Sequence, residues 1–137
     1  MDTLTRRTGA RIALCTLPPL DEGRDAILVE RVARYNSVVR DVARRTGAAF
    51  IPLHEPIEAW LAQTPAAAAP SFGAALPRML LAAVQHYALG RSWDAIATAH
   101  GYALFIDGIH AGERCASLLA DPIERFLRTD PFVPRSS

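Results

Sequence analysis

Hydrophobic and polar positions change their spacing several times along this chain, and each change marks an element. Arg11 to Leu17 is a short apolar run stopped by Pro18 and Pro19, which cannot extend a sheet ladder, so it predicts a buried strand. Pro19 to Arg24 reads as a loop. From Asp25 to Arg45 the apolar positions take a helical period, with Leu28, Val32, Tyr35, Val39 and Val42 on one stripe. Gly47 stands just past the end, where a left-handed cap is wanted, and arginines fill the last turn as the helix dipole prefers. Ala48 to Leu53 is a second short strand. Strand, helix and strand with short connections predict a βαβ unit with parallel strands. Parallel strands are normally buried inside a larger sheet, and two of them do not form a sheet that stands alone.

Beyond Pro56 the texture changes. Ile57 to Gln63 predicts a short helical turn, and Thr64 to Gly73 a proline-rich loop of small residues. Leu76 to Leu89 is helical and apolar almost all round, ended by Gly90. Ser92 is an N-cap for a helix over Trp93 to Ala99, closed by Gly101. Ala103 to Ile106 is a short extended run. After His110 a helix face is marked by Ala116, Leu119, Ile123, Phe126 and Leu127. Pro122 interrupts it, but Asp121 as N-cap, Pro122 at the first position and Glu124 at the third allow a restart. The tail from Arg128 onward is expected to fray.

A length of 137 residues fits one domain able to bury a core without staples or metals. With half of the residues hydrophobic and a net charge of +1, the chain is globular and carries no electrostatic footprint for nucleic acid. Acidic neighbours break up the arginines at 40, 44 and 45, which read as a solvated helix face. Cys15 and Cys115 have no zinc or redox spacing and read as reduced, buried thiols. The apolar run Ile12 to Leu17 is too short for a signal-peptide core, and two prolines follow where a cleavage site belongs. The expectation is a mature start at Met1, cytoplasmic if the chain is complete, with no transmembrane segment.

The chemistry-bearing stretch is "IDGIH". Asp107 and His110, three apart on a turn that Gly108 lets bend, can point both side chains one way. Serine acyl transfer uses a histidine to take the hydroxyl proton and a carboxylate to hold that histidine's tautomer. A capped turn carrying a histidine is the plainer reading of the same spacing. Glu113 nearby suggests a metal set, but no second histidine motif accompanies it, so neither metal nor cofactor is expected. His54 and Glu55, after a strand end, read as a solvated loop pair; the other reading turns them to the same crevice. His86 and His100 read as surface or core histidines.

Three stretches together resemble the SGNH hydrolases, the GDSL esterase and lipase family. "ARIALCTLPPL" is similar to the family's fourth core strand and the turn after it. "YNSVVRDVARRTGAAFIPLHEPI" is similar to the next helix and fifth strand. "DGIHAGERCASLLADPIERFL" resembles the last conserved block, with its D-x-x-H and terminal helix. The resemblance implies an α/β fold: part of a three-layer α/β/α sandwich with a parallel sheet, flavodoxin-like, its N-terminal strands absent. It implies ester hydrolysis, with His110 as general base and Asp107 orienting it, on a small-molecule ester, a lipid or an acylated sugar. Residues 59–99 form a helical insert, and Met79, Tyr87 and Trp93 on it are candidates for a substrate-pocket wall.

Two departures qualify the resemblance. Ala111 and Gly112 replace the apolar residue and asparagine that usually follow the histidine. No G-D-S or G-x-N-D occurs, and Ser37, Ser71, Ser92, Ser117, Ser136 and Ser137 all lack the Gly-flanked elbow of a nucleophile. The chain therefore reads as the carboxyl-terminal half of such a hydrolase, without its serine or oxyanion hole. The alternative is a non-catalytic half-domain that acts by assembling, either with a second copy or with a missing N-terminal partner segment.

Overall fold

A computed structural model describes residues 11–64 and 75–129, together with residue 7. It is an α/β structure, mostly helical, with one small sheet. Strand β1 (Ala13–Cys15) pairs in parallel with β2 (Ala49–Ile51), in the register Ala13 to Ala49 and Cys15 to Ile51. Helix α1 (Ala26–Thr46) crosses between them. Asp25 caps it by accepting from the Ile27 and Leu28 amides, and Gly47 ends it at φ +65°. The predicted βαβ unit is present.

The buried stripe of α1 departs from the expected one at Tyr35 and gains Asn36 and Ala43. Tyr35 is exposed, and Asn36 takes the inward place, buried beside Val32 and Ala43. Its amide oxygen accepts from the Leu17 N–H (2.7 Å) and its Nδ2 donates to the Leu17 carbonyl (3.0 Å). Leu17 lies past the end of β1, and this side chain satisfies backbone groups that a longer strand would have paired. A polar residue was not counted on an apolar stripe, which is why the pattern missed it.

Helix α2 (His54–Ala62) starts three residues before the expected turn, so His54 and Glu55 belong to a helix and not to a loop. Its cap comes from 38 positions away: the hydroxyl of buried Thr16 accepts from the Leu53 and His54 amides at 2.8 and 2.9 Å. Pro56 is tolerated in the first turn, where its missing N–H would have had no helical partner. Helices α3 (Ala75–Tyr87) and α4 (Trp93–Ala99) follow, with the Ser92 hydroxyl accepting from the Ala95 amide. The loop at residues 64–73, apart from Thr64, and the tail beyond Thr129 lie outside the described residues.

Helix α3 is not a core helix. It packs on α4 and buries Ala82, while Leu76, Leu80, Leu81, Val84 and Tyr87 remain more than half exposed. Helix α5 (Glu113–Thr129) runs through Pro122 without a restart. Pro122 is itself buried, and the inward face is Cys115, Leu118, Leu119, Pro122, Ile123 and Phe126. Ala116 and Leu127, expected inside, are exposed. Burial of this face outweighs the hydrogen bond that the proline removes. Cys115 is buried as expected, whereas Cys15 is exposed.

Ala103 to Ile106 is not a strand. It forms one side of a tight loop closed by an isolated antiparallel bridge between Phe105 and Ala111. Leu104 and Phe105 pack with Ile57 and Cys115 in one core cluster, and Ile106 packs with Ala82 and Ile96 in another. The loop carrying Asp107 and His110 is therefore pinned between both clusters.

Candidate active site at Asp107 and His110

Two backbone bonds close the loop: the Ile106 amide donates to the His110 carbonyl and the Gly112 amide to the Leu104 carbonyl, both at 2.8 Å. Asp107 sits at its tip with a fully buried side chain. One carboxylate oxygen accepts from the Ile109 amide (3.0 Å) and the His110 amide (2.9 Å). The other accepts from His110 Nδ1–H at 2.7 Å. The same carboxylate thus builds the turn and aims the imidazole. The capped turn and the oriented histidine are one structure.

Burial is the largest influence on the Asp107 carboxyl and pushes its pKa up. The hydrogen bonds from the His110 amide, the His110 ring and the Ile109 amide, with the His110 charge, outweigh it and hold the carboxyl below its ordinary value. Because a carboxylate only accepts, the proton sits on Nδ1, and Nε2 of the neutral ring is left as a base. The Asp107 side chain is 1% exposed and that of His110 54%, so the basic edge faces outward while its orienting acid is shielded.

The loop rests on residues that sequence reasoning treated as plain connection. Asp21, Glu22 and Gly23 form a left-handed turn, with φ +49°, +52° and +74°. Such values are uncommon for residues with a side chain and persist only where the surroundings enforce them. Here the enforcement is visible. Glu22, 1% exposed in its side chain, accepts through one oxygen from the amides of Ala103, Leu104 and Phe105 at 2.8, 2.7 and 3.1 Å. Its other oxygen pairs with Arg24 at 2.8 Å. A carboxylate replaces the strand ladder that the sequence led one to expect at Ala103 to Ile106. The Asp21 amide donates to the Gly108 carbonyl, and the Asp21 carboxylate accepts from the Tyr102 hydroxyl, each at 2.8 Å. Burial, and then that carboxylate, push the Tyr102 pKa up to about 12.

Gly108 has φ +94°, and a Cβ there would lie 3.0 Å from the Asp21 carboxylate and 3.1 Å from the Tyr102 hydroxyl. His100 supports the other side by holding the Ile106 carbonyl through Nδ1 at 2.9 Å. Gly112 has a similar reason. A Cβ would come within 2.7 Å of Asp94 Oδ1, and this oxygen accepts from the Arg114 amide in the first turn of α5. Asp94, on α4, caps α5, whose preceding residue, Gly112, has no side chain to do so. The only local signal for these partners is an acidic pair followed by glycine just after two prolines. Nothing in it names positions 81 residues away.

Other candidates fall elsewhere. Glu113 faces the Trp93 amide, and among the described residues no three histidine, cysteine, aspartate or glutamate side chains converge on a metal position. Trp93 stacks on His86 with ring centroids 3.9 Å apart, and Tyr87 meets both rings edge-on. Tyr87 is 80% exposed and Met79 half-buried, and neither they nor Trp93 line the cavity between α1 and α2. Ser37 and Ser117 are exposed on helices and Ser92 is an N-cap, while Ser71, Ser136 and Ser137 lie outside the described residues. Among the described residues no serine or threonine hydroxyl is hydrogen-bonded to His110.

Comparison of the chain with protein-family models, with curated proteins and with solved structures gives no match. The reading of this site therefore rests on its geometry. No described helix is long and apolar enough to cross a membrane.

Proposed function

We propose that Asp107 and His110 are the acid–base pair of an ester hydrolase of the SGNH type, and that the nucleophilic serine and oxyanion donors come from another segment or another chain. The observation that carries this is the 2.7 Å bond from His110 Nδ1 to a buried carboxylate, with the opposite ring edge open. In the proposed reaction Nε2 takes the serine proton as the hydroxyl attacks the ester carbonyl, and returns it to the leaving alcohol. Asp107 stays ionised and stabilises the imidazolium formed between those steps. A water, deprotonated by the same nitrogen, then attacks the acyl carbonyl; the acid leaves and Nε2 returns the proton to the serine oxygen. A three-layer sandwich built around the parallel pair is the fold that goes with this reading. Its substrate is a small-molecule ester, a lipid or an acylated sugar.

The test is reconstitution. The reading frame upstream of Met1 should encode a strand followed by G-D-S and a later G-x-N-D. The product that includes it should hydrolyse an activated short-chain ester, with kcat falling by about 10³- to 10⁴-fold in His110→Ala. Hydrolysis that His110→Ala leaves untouched sinks the proposal. The 137-residue chain by itself should show no turnover that depends on His110.

A second reading has its own support. Among the described residues the sheet has two strands, and Ile27, Val29, Tyr35 and Val38 on α1 are exposed apolar side chains. A non-catalytic half-domain completed by a partner, or by a second copy, also has those features. Absence of any hydrolase signature upstream, with a stable stoichiometric complex on purification, selects it.

A further inference from the structure

A cavity of about 400 Å³ opens at the carboxyl ends of both parallel strands, between α1 and α2. That size falls in the range of small-molecule sites, and that end of the strands is where α/β sheets bind ligands. Its walls are apolar: Val29 and Val32 from α1, Leu61 from α2, and Leu20 from the entry to the left-handed turn. Glu22 also borders it, but both oxygens of that carboxylate are engaged, by Arg24 and by three backbone amides. The polar groups left for a ligand are His54 and Glu58. His54 Nδ1 is bonded to the Leu17 carbonyl at 3.0 Å, and a carbonyl only accepts, so Nδ1 carries the proton. In the neutral ring Nε2 is then an acceptor; it lies 3.9 Å from the Glu58 carboxylate, with which a protonated ring would pair.

From this lining we infer that the cavity is a binding site for a small neutral apolar molecule bearing one hydroxyl, a medium-chain alcohol in type. The hydroxyl donates to His54 Nε2 and the hydrocarbon fills the wall of valines and leucines. A carboxylate of the same length is disfavoured, because it has no proton to donate and meets Glu58. Glu22 and Gly23 of the left-handed turn shape one side, and the strained φ at Glu22 accords with the tendency of backbone strain to gather at ligand sites. His110 does not line this cavity, so the inference stands independently of the reading of Asp107 and His110.

Methyl NMR on the full chain, titrated with hexan-1-ol and separately with hexanoate, tests it. Hexan-1-ol should shift the Val29, Val32 and Leu61 methyls saturably, and hexanoate should bind at least about ten-fold more weakly. Replacing His54 by phenylalanine keeps a ring in place and removes the acceptor, and should weaken hexan-1-ol by roughly 3- to 10-fold. Ala33 lines the cavity from an exposed position on α1. Ala33→Trp, or Val29→Trp if the first tryptophan turns outward, should abolish the shifts while distant methyls stay in place. Shifts that never saturate, hexanoate binding as well as the alcohol, or full affinity in both tryptophan variants would each overturn the assignment.

Discussion

Asp107 stabilises the loop and aims the base with the same two oxygens, so its ionisation state governs both. Folding lowers this carboxyl's pKa, and its contribution to stability is therefore complete above the ordinary carboxyl value of about 4 and lost as pH falls through the lowered folded value. Asp107→Asn should flatten the acid limb of the stability curve below about pH 4, as read from urea midpoints across that range. Part of the limb should survive. Burial pushes the Glu55 carboxyl up, but Arg40 and Thr16 hold it low overall. The ring of His110 gives a second readout. Nitrogen shifts should show a protonated Nδ1 and a bare Nε2 in the natural protein, and a changed tautomer balance in Asp107→Asn, whose amide can donate to Nδ1. Gly108→Ala places a side chain at φ +94° against Asp21 and Tyr102, and should cost about 1–3 kcal/mol in urea unfolding.

Among the elements, the left-handed turn does what a strand partner would do. Glu22→Ala removes the acceptor for three amides and uncouples Arg24, at a cost of about 2 kcal/mol or more. Hydrogen exchange separates this from general destabilisation, because protection should fall first at Ala103, Leu104 and Phe105. Asp94 is the corresponding device for α5. Asp94→Ala should cost about 1 kcal/mol and fray the helix at Arg114, seen as faster exchange of that amide. The periodicity places α1 and, over three residues each, the two strands, although β1 is half-buried to exposed where a buried strand was expected. Helix α1 is held largely by its own pattern and caps. The elements the periodicity displaced, α2 and the Asp107 loop, take their caps and acceptors from distant side chains. No window of a dozen residues contains both partners of such a bond.

At the scale of the molecule, the described surface retains broad apolar areas on α1 and α3. Native protein should therefore enhance the fluorescence of an apolar dye, and the pair Leu80→Glu and Val84→Glu on α3 should reduce that signal without a change in helical content. Both substitutions fall on exposed positions of α3, away from Ala82, which packs in one cluster with Ile106. A dye signal unchanged by both substitutions would place the exposed surface elsewhere, with α1 the next face to alter.

What the sequence by itself determined here is the local grammar: an apolar run ended by prolines, a helix with Asp25 at one end and Gly47 at the other, and an Asp-Gly turn with a histidine three residues after the acid. These need only neighbours within a turn or two, because period and capping are short-range physics. The resemblance to SGNH hydrolases added an expected role for the pair at 107 and 110, and that role is the proposal. Tertiary structure decided the rest. It placed Glu22 under residues 103–105, Thr16 at the start of α2, Asp94 at the start of α5, and Asn36 on Leu17. It also turned α3 outward and opened a cavity beside His54. The four side-chain pairings join polar groups that are distant in sequence and costly to leave unpaired when buried. The partner of a buried polar group is chosen by how the elements pack, and that choice leaves no local mark in the chain.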